Sequence, residues 1–155
     1  MTLQELYPYW GDVHQELRET VGALTAAQLE AAPHDDALSV RQIVLQFVRD
    51  ERYWIGQLVA GYAEYRPDRE DYPDGRALAE ALTATRDVTR RVLEPFSREG
   101  LRAVRRIPGD PAANRHETNA PVSWLFWHVL ELELMCSGQV QQRLRDSKRG
   151  GGRFG

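Results

Sequence analysis

A chain of 155 residues, 42% hydrophobic and 28% charged, has the size and make-up of one soluble globular domain and excludes a disordered or fibrous protein. Its net charge of −3 gives no electrostatic ground for a nucleic-acid partner, and its apolar runs are too short to cross a bilayer. One cysteine, Cys136, excludes an internal disulfide and suits a reducing compartment. The N-terminus has no basic flank before an apolar region, so no signal peptide is expected.

The first predicted helix runs from Leu3 to Leu24, with Leu3, Leu6, Trp10, Val13, Leu17, Val21 and Leu24 at spacings of three and four. Pro8 makes it irregular until about Tyr9. His14 lies next to that stripe and reads as a boundary or surface histidine. Thr25 and Gln28 have capping-box spacing and open a short helical turn ending near Ala32. Ser39 and Gln42 repeat that spacing ahead of the clearest amphipathic pattern in the chain, which runs to about Gly61. Glu51 interrupts its apolar stripe between Val48 and Ile55. A carboxylate there needs an arginine, a histidine, water or a ligand, because burying it unpaired is costly.

Residues 64–75 hold two prolines and many charges, and make a long exposed connection. Asp74 is placed to cap a third helix from about Gly75 to Glu94, which Pro95 ends or kinks. Residues 97–120 show no helical period and no persuasive strand, although Leu101, Ala103, Val104 and Ile107 allow a short extended piece. Arg102, Arg105, Arg106 and Arg115 put positive charge near the start of the next helix, where an anion contact is conceivable and a solvated loop explains the same residues.

Pro121 to Arg145 is the longest apolar stretch and predicts a fourth helix, buried on most of its circumference, with Pro121 in its first turn. His128, Glu131, Glu133 and Cys136 are set into it. The tail from Lys148 is rich in glycine and is expected to be flexible. The expected architecture is therefore all-α: a four-helix bundle in a single domain over residues 1–147, with long connections between helices two and three and between three and four, and a tail over 148–155. No repeat, phosphate loop, nucleophile elbow or cysteine-rich zinc site is present.

Helices two and four, read together, resemble the DinB/YfiT-like superfamily of bacterial helical bundles over roughly residues 3–146. The family's second helix commonly reads H-x-x-x-x-E-x-x-W, and Gln46, Glu51 and Trp54 stand in that frame. Its fourth commonly reads W-x-x-x-H-V-x-E-H-E-x-H-H-R-G-Q. Trp124, His128, Val129, Glu131, Leu132, Glu133, Met135, Cys136, Ser137, Gly138 and Gln139 follow that order here. The resemblance implies a cytoplasmic bacterial protein, often a homodimer, in a family whose members typically hold a divalent metal on three histidines.

The positions corresponding to those histidines are Gln46, Leu132 and Cys136. Leucine cannot ligate and glutamine is a poor transition-metal ligand, so no metal and no cofactor are expected. His128 and Cys136 cannot easily share an ion, because eight helical residues separate their backbones by about 12 Å. A site from Cys136, Glu51 and Gln46 remains geometrically open. Two functions follow as expectations. One is a metal-free binding or interaction module with a small-molecule pocket lined by Gln46, Glu51, His128, Leu132 and Cys136. The other, implied by the resemblance, is a thiol-dependent S-transferase or isomerase in which His128 or a helix dipole replaces the metal as activator of the thiol. A reactive Cys136 is a narrower possibility, since a mid-helix cysteine in apolar surroundings is more often inert.

Overall fold

The computed structural model describes residues 1–34, 36–66 and 72–150. Thr2 caps α1 (Leu3–Leu6) through a capping box with Glu5. Tyr7, held extended by the following proline, then breaks the helix, and α2 (Trp10–Gly22) begins two residues after Pro8. The single helix expected from Leu3 is thus two, with the break at the proline. The Thr25 and Ser39 capping boxes both form, opening α3 (Ala26–Leu29) and α4 (Val40–Glu51).

After Glu51 the helix continues but widens. Arg52–Gln57 is π-helical, and Leu58 and Ala60 donate their N–H groups five residues back, to the carbonyls of Tyr53 and Ile55, each at 3.1 Å. Gly61, at φ 73°, ends it in the left-handed region that only glycine adopts freely. The connection to α5 (Gly75–Leu93) falls partly outside the described residues. Asp74 caps α5 as expected, accepting from the Ala77 N–H at 2.8 Å. Gly75, at the first position of α5, lies so close to the end of α2 that a Cβ there would overlap the Val21 carbonyl oxygen.

Residues 97–121 depart from expectation. The extended piece is a strand, β1 (Val104–Ile107), and it pairs antiparallel with a second, β2 (Thr118–Pro121), Val104 opposite Pro121 and Ile107 opposite Thr118. The second strand has no period-two apolar signal because only Ala120 of its four residues is buried. Pro121 therefore ends the strand, and α6 (Val122–Gly150) starts one residue later. The Val122 N–H donates to the Ala103 carbonyl at 2.9 Å, so the hairpin fixes where α6 starts.

In α6, Val122, Leu125, Phe126, Val129, Glu133, Cys136 and Val140 form one buried stripe at helical spacing. The expectation of burial around most of the circumference does not hold, because Trp127, Leu134 and Met135 are exposed on the other side. α6 runs to Gly150, and residues 151–155 of the expected tail lie outside the described part. The fold is mostly helical, with six α-helices and a small two-stranded sheet among the described residues. The longer helices enclose one core, α4 packing on α5 and α6, and α2 on the same two. Among the described residues no helix is long and apolar enough to cross a membrane.

Candidate functional site

The core of this fold contains charge. Glu51, Arg86 and Glu133 are at most 1% exposed, and they meet where α4, α5 and α6 converge. Arg86 donates from Nε to Glu51 Oε1 at 2.8 Å and from Nη2 to Glu51 Oε2 at 3.2 Å. The same Nη2 donates to Glu133 Oε2 at 2.7 Å, so one planar guanidinium spans both carboxylates. Thr89 Oγ1 donates to Glu51 Oε1 at 2.6 Å. From α2, Trp10 Nε1 donates to Glu133 Oε2 at 2.7 Å, and His14 Nδ1 lies 2.8 Å from Oε1. The Arg86 guanidinium also lies over the Trp10 ring, 4.6 Å from its centroid.

Burial alone would raise the pKa of Glu133. The His14 hydrogen bond and the Arg86 charge outweigh that and hold its carboxyl below the ordinary value. Burial likewise works against the Arg86 charge, and Glu51 and Glu133 reverse it, so the guanidinium stays charged.

Glu51 thus finds the arginine its position demanded, and it turns toward α5, away from the other candidate pocket residues. Those gather on the α4–α6 seam. Gln46 is half-buried, its Nε2 donating to Asp50 Oδ1 at 2.7 Å and its Oε1 accepting from Arg49 Nη2 at 2.5 Å. His128 stacks on Trp124 with ring centroids 4.8 Å apart and meets the edge of Trp54 at 4.6 Å. Its Nδ1 pairs with Glu131 Oε2 at 3.1 Å. Leu132 is half-buried against the core, and Cys136 is buried with its Sγ 4.0 Å from the Ile43 carbonyl. Gln46, His128, Leu132 and Cys136 therefore share one seam, and Glu51 is not part of it.

Asp50 joins that seam, and sequence reasoning missed it. It stands one turn after Gln46 on the same helical face, a spacing that was available to find it. Burial raises the pKa of its carboxyl against the opposing pull of Gln46, Arg49 and His128. Asp50 also borders a cavity of about 360 Å³ between the π-helical segment and the loop after β1, walled by Tyr53, Trp54, Tyr65 and Arg115. The Arg115 guanidinium lies 5.3 Å from the Trp54 ring centroid, and its buried Nε has no hydrogen-bond partner. Of the arginines between Arg102 and Arg115, Arg106 is exposed and pairs with Glu117 at 2.5 Å, and Arg115 packs on Trp54.

The donor set of the seam does not fit the divalent metal that the resemblance implies. Leu132 offers no donor atom, and the Gln46 amide is engaged with Asp50 and Arg49. Burial, reinforced by Glu133 and Asp50, pushes the Cys136 thiol up to about 12 from 9.0, where a ligand would need the thiolate. Among the described residues no three histidine, cysteine, aspartate or glutamate side chains are grouped to hold an ion. The same shift makes thiolate roughly a thousandfold scarcer at neutral pH than in an unperturbed thiol. Iodoacetamide is accordingly expected to leave Cys136 unmodified in the folded protein and to label it fully in urea. Rapid labelling of the native chain, followed by mass spectrometry, would refute that assignment.

His14 is not the surface or boundary residue its position beside the stripe suggested, being 6% exposed and bound to Glu133. Arg86 was also missed, although it sits one turn after Leu82 on the apolar face of α5. An arginine on such a stripe and a glutamate on that of α4 are each other's signal.

No protein-family model and no curated protein sequence matches the chain. Among solved structures, a DinB-like protein from Bacillus cereus aligns over 95% of this chain and 93% of its own, with a TM-score of 0.73 and 12% sequence identity. Similarity at that identity speaks for the backbone arrangement, and on it the chain has the fold of a DinB-like protein, as the pattern in helices two and four implied.

Proposed function

We propose that this chain is a metal-free, small-ligand-binding protein built as a DinB-like four-helix bundle, its ligand held beside Asp50 next to the family's metal position. The observation that carries this reading is the Asp50 carboxyl, kept partly buried at a raised pKa on the wall of an aromatic-lined cavity. A carboxyl perturbed by burial on a cavity wall marks a candidate binding site, and Gln46 engages only its Oδ1. Tyr53, Trp54 and Tyr65 supply flat apolar surface, and Asp50 supplies the acceptor for an amine or another donor of a small polar molecule. The homodimer implied by the resemblance would draw on the exposed Trp127, Leu134 and Met135 of α6.

Elemental mass spectrometry on untagged protein, with thermal melts in nickel, zinc or manganese, tests the first half. Less than about a tenth of an equivalent, with no rise in Tm, is expected, since an ion bound only to the native state must raise it. Stoichiometric metal whose stabilisation is abolished by Cys136→Ala would instead establish a rebuilt centre. It would favour the enzymatic alternative, a thiol-dependent S-transferase or isomerase. A thermal-shift screen of small amines and polar aromatics tests the second half: Asp50→Asn is expected to abolish the shifts of the hits while leaving the protein folded. Hits indifferent to that substitution would place the ligand elsewhere.

A further inference from the structure

The Asp50 cavity has a cationic side as well as an acidic one. Arg115 borders it from the loop between β1 and β2. The backbone of that loop is tied down: Asp110 and Arg115 exchange both N–H···O bonds, at 2.8 and 2.9 Å, and Asn114, at φ 51°, turns the chain back. Asp110 also borders the cavity, but its Oδ1 accepts from the Ala112 and Ala113 N–H groups within its own turn, and it makes no ion pair with Arg115. Arg115 itself is half-buried. Of its side-chain nitrogens only Nε is closed off from solvent, and the two terminal nitrogens are open and hydrogen-bond to no described residue.

Asp50 is in the matching condition. Gln46 occupies Oδ1, while Oδ2 is open and accepts from no described residue. The other charged side chains on the wall are already engaged, Arg49 with Gln46 Oε1 and Glu64 with Arg66 at 2.9 Å. One cavity thus holds an open carboxylate oxygen and an open guanidinium edge that do not pair with each other. Trp54 follows Asp50 by four residues and has the Arg115 guanidinium 5.3 Å from its ring centroid, which keeps both charges within reach of one small molecule. Opposite charges held apart in a partly desolvated space favour a ligand that carries the complementary pair, since a ligand with one charge answers only one of them. The planar fork of an arginine is the side chain best matched to a carboxylate. A volume of about 360 Å³ lies at the small end of ligand sites, which suits a molecule of amino-acid size.

Resting on the reading of the Asp50 cavity as a ligand site, we propose that its ligand is a zwitterion of amino-acid size, with the ammonium group on Asp50, the carboxylate on the terminal nitrogens of Arg115 and an apolar body against Tyr53 and Tyr65. An amine alone meets only half of that requirement.

The test is a set of titrations of the ¹⁵N-labelled protein near neutral pH, to about 20 mM at constant ionic strength, a range that covers weak millimolar binding. L-phenylalanine and L-leucine carry both charges, phenethylamine only the ammonium and phenylpropionate only the carboxylate. Saturable movement of the Trp54 indole resonance, assigned with Trp54→Phe, reads occupancy. At least one of the two amino acids is expected to bind roughly tenfold or more tighter than either singly charged probe. Arg115→Gln should bring that amino acid down to the affinity of phenethylamine and leave phenethylamine itself unchanged, whereas Asp50→Asn should weaken both. Arg115→Lys keeps the charge without the fork, should fall between wild type and Arg115→Gln, and serves in its place if the glutamine variant melts early. Phenethylamine bound as tightly as phenylalanine, or amino-acid binding indifferent to Arg115→Gln, would overturn the zwitterion and leave the Asp50 ligand site standing. No saturable movement with any of the four probes would also overturn it, and the thermal-shift screen with Asp50→Asn then decides the cavity separately.

Discussion

Arg86→Leu is expected to be the most damaging single substitution in the chain, costing about 3–5 kcal/mol in urea unfolding. Leucine fills part of the volume but leaves Glu51 and Glu133, both fully buried, without their shared cation. For a domain of this size that corresponds to a fall in Tm of roughly 10 °C or more. The cause lies in stranded charge more than in lost packing, so it should be reversible by neutralisation. Adding Glu51→Gln and Glu133→Gln to Arg86→Leu should recover a measurable part of the loss, and no recovery would mean that shape, not charge, dominates at this point in the core. The pH dependence has a definite sign. The carboxyl of Glu133 is depressed in the folded state, so its contribution is present above the ordinary value of 4.5 and is lost as pH falls from there through the folded value. Glu133→Gln should flatten that part of the acid limb, and an acid limb identical to that of the wild type would contradict the assignment.

The second large effect is expected at Gly75, where a single added carbon suffices. A Cβ at this position has to displace the Val21 carbonyl oxygen, with the Leu24 carbonyl 3.1 Å away as the next obstacle. Both are backbone atoms at the end of α2, and neither can rotate out of the way as a side chain would. Gly75→Ala should therefore cost about 3 kcal/mol, near the upper end for overpacking, despite alanine's higher helix propensity. Gly11→Ala is the control, because it lies in the first turn of α2 with nothing within 4 Å of the added carbon. There propensity alone should operate, giving neutrality or a small gain. If both variants behave like Gly11→Ala in thermal melts, α2 and α5 do not approach as closely as described.

The helices were legible because their signals are local. The Thr25, Ser39 and Asp74 caps each rest on side chains within three residues of the backbone they satisfy. The break at Pro8 is likewise a property of one residue and its neighbour. β2 was not legible, since Thr118–Pro121 becomes a strand only through its register with β1, a contact that no pattern within four residues encodes. The exposed half of α6 was misread for a related reason: apolar residues such as Trp127 and Leu134 carry no mark that distinguishes a core position from an outward one.

The candidate site divides along the same line. That Glu51 required a cation was readable from its place on an apolar stripe. Which cation was not, because the answer lies 35 residues away on another helix. Gln46, Leu132 and Cys136 were found as a group by resemblance to a family pattern, and the seam they occupy follows from i, i+4 spacing. Asp50 shares that spacing with Gln46 and was overlooked. Its importance comes from the cavity beside it, which the π-helical widening and the loop after β1 create together.

The distribution of the buried charges along the chain bears on how it folds during synthesis. Trp10, His14, Glu51 and Arg86 leave the ribosome well before Glu133, the one group that three of them bind. At ordinary rates of about 5–20 residues per second, the nascent chain waits seconds in which Glu51 and Arg86 have each other but Trp10, His14 and Arg86 still lack their acceptor on Glu133. The packing of α2, α4 and α5 around Glu133 is complete only once α6 is in place. The last long helix is the closing piece of the assembly, and a ribosome stalled before it leaves a collapsed chain in need of a chaperone.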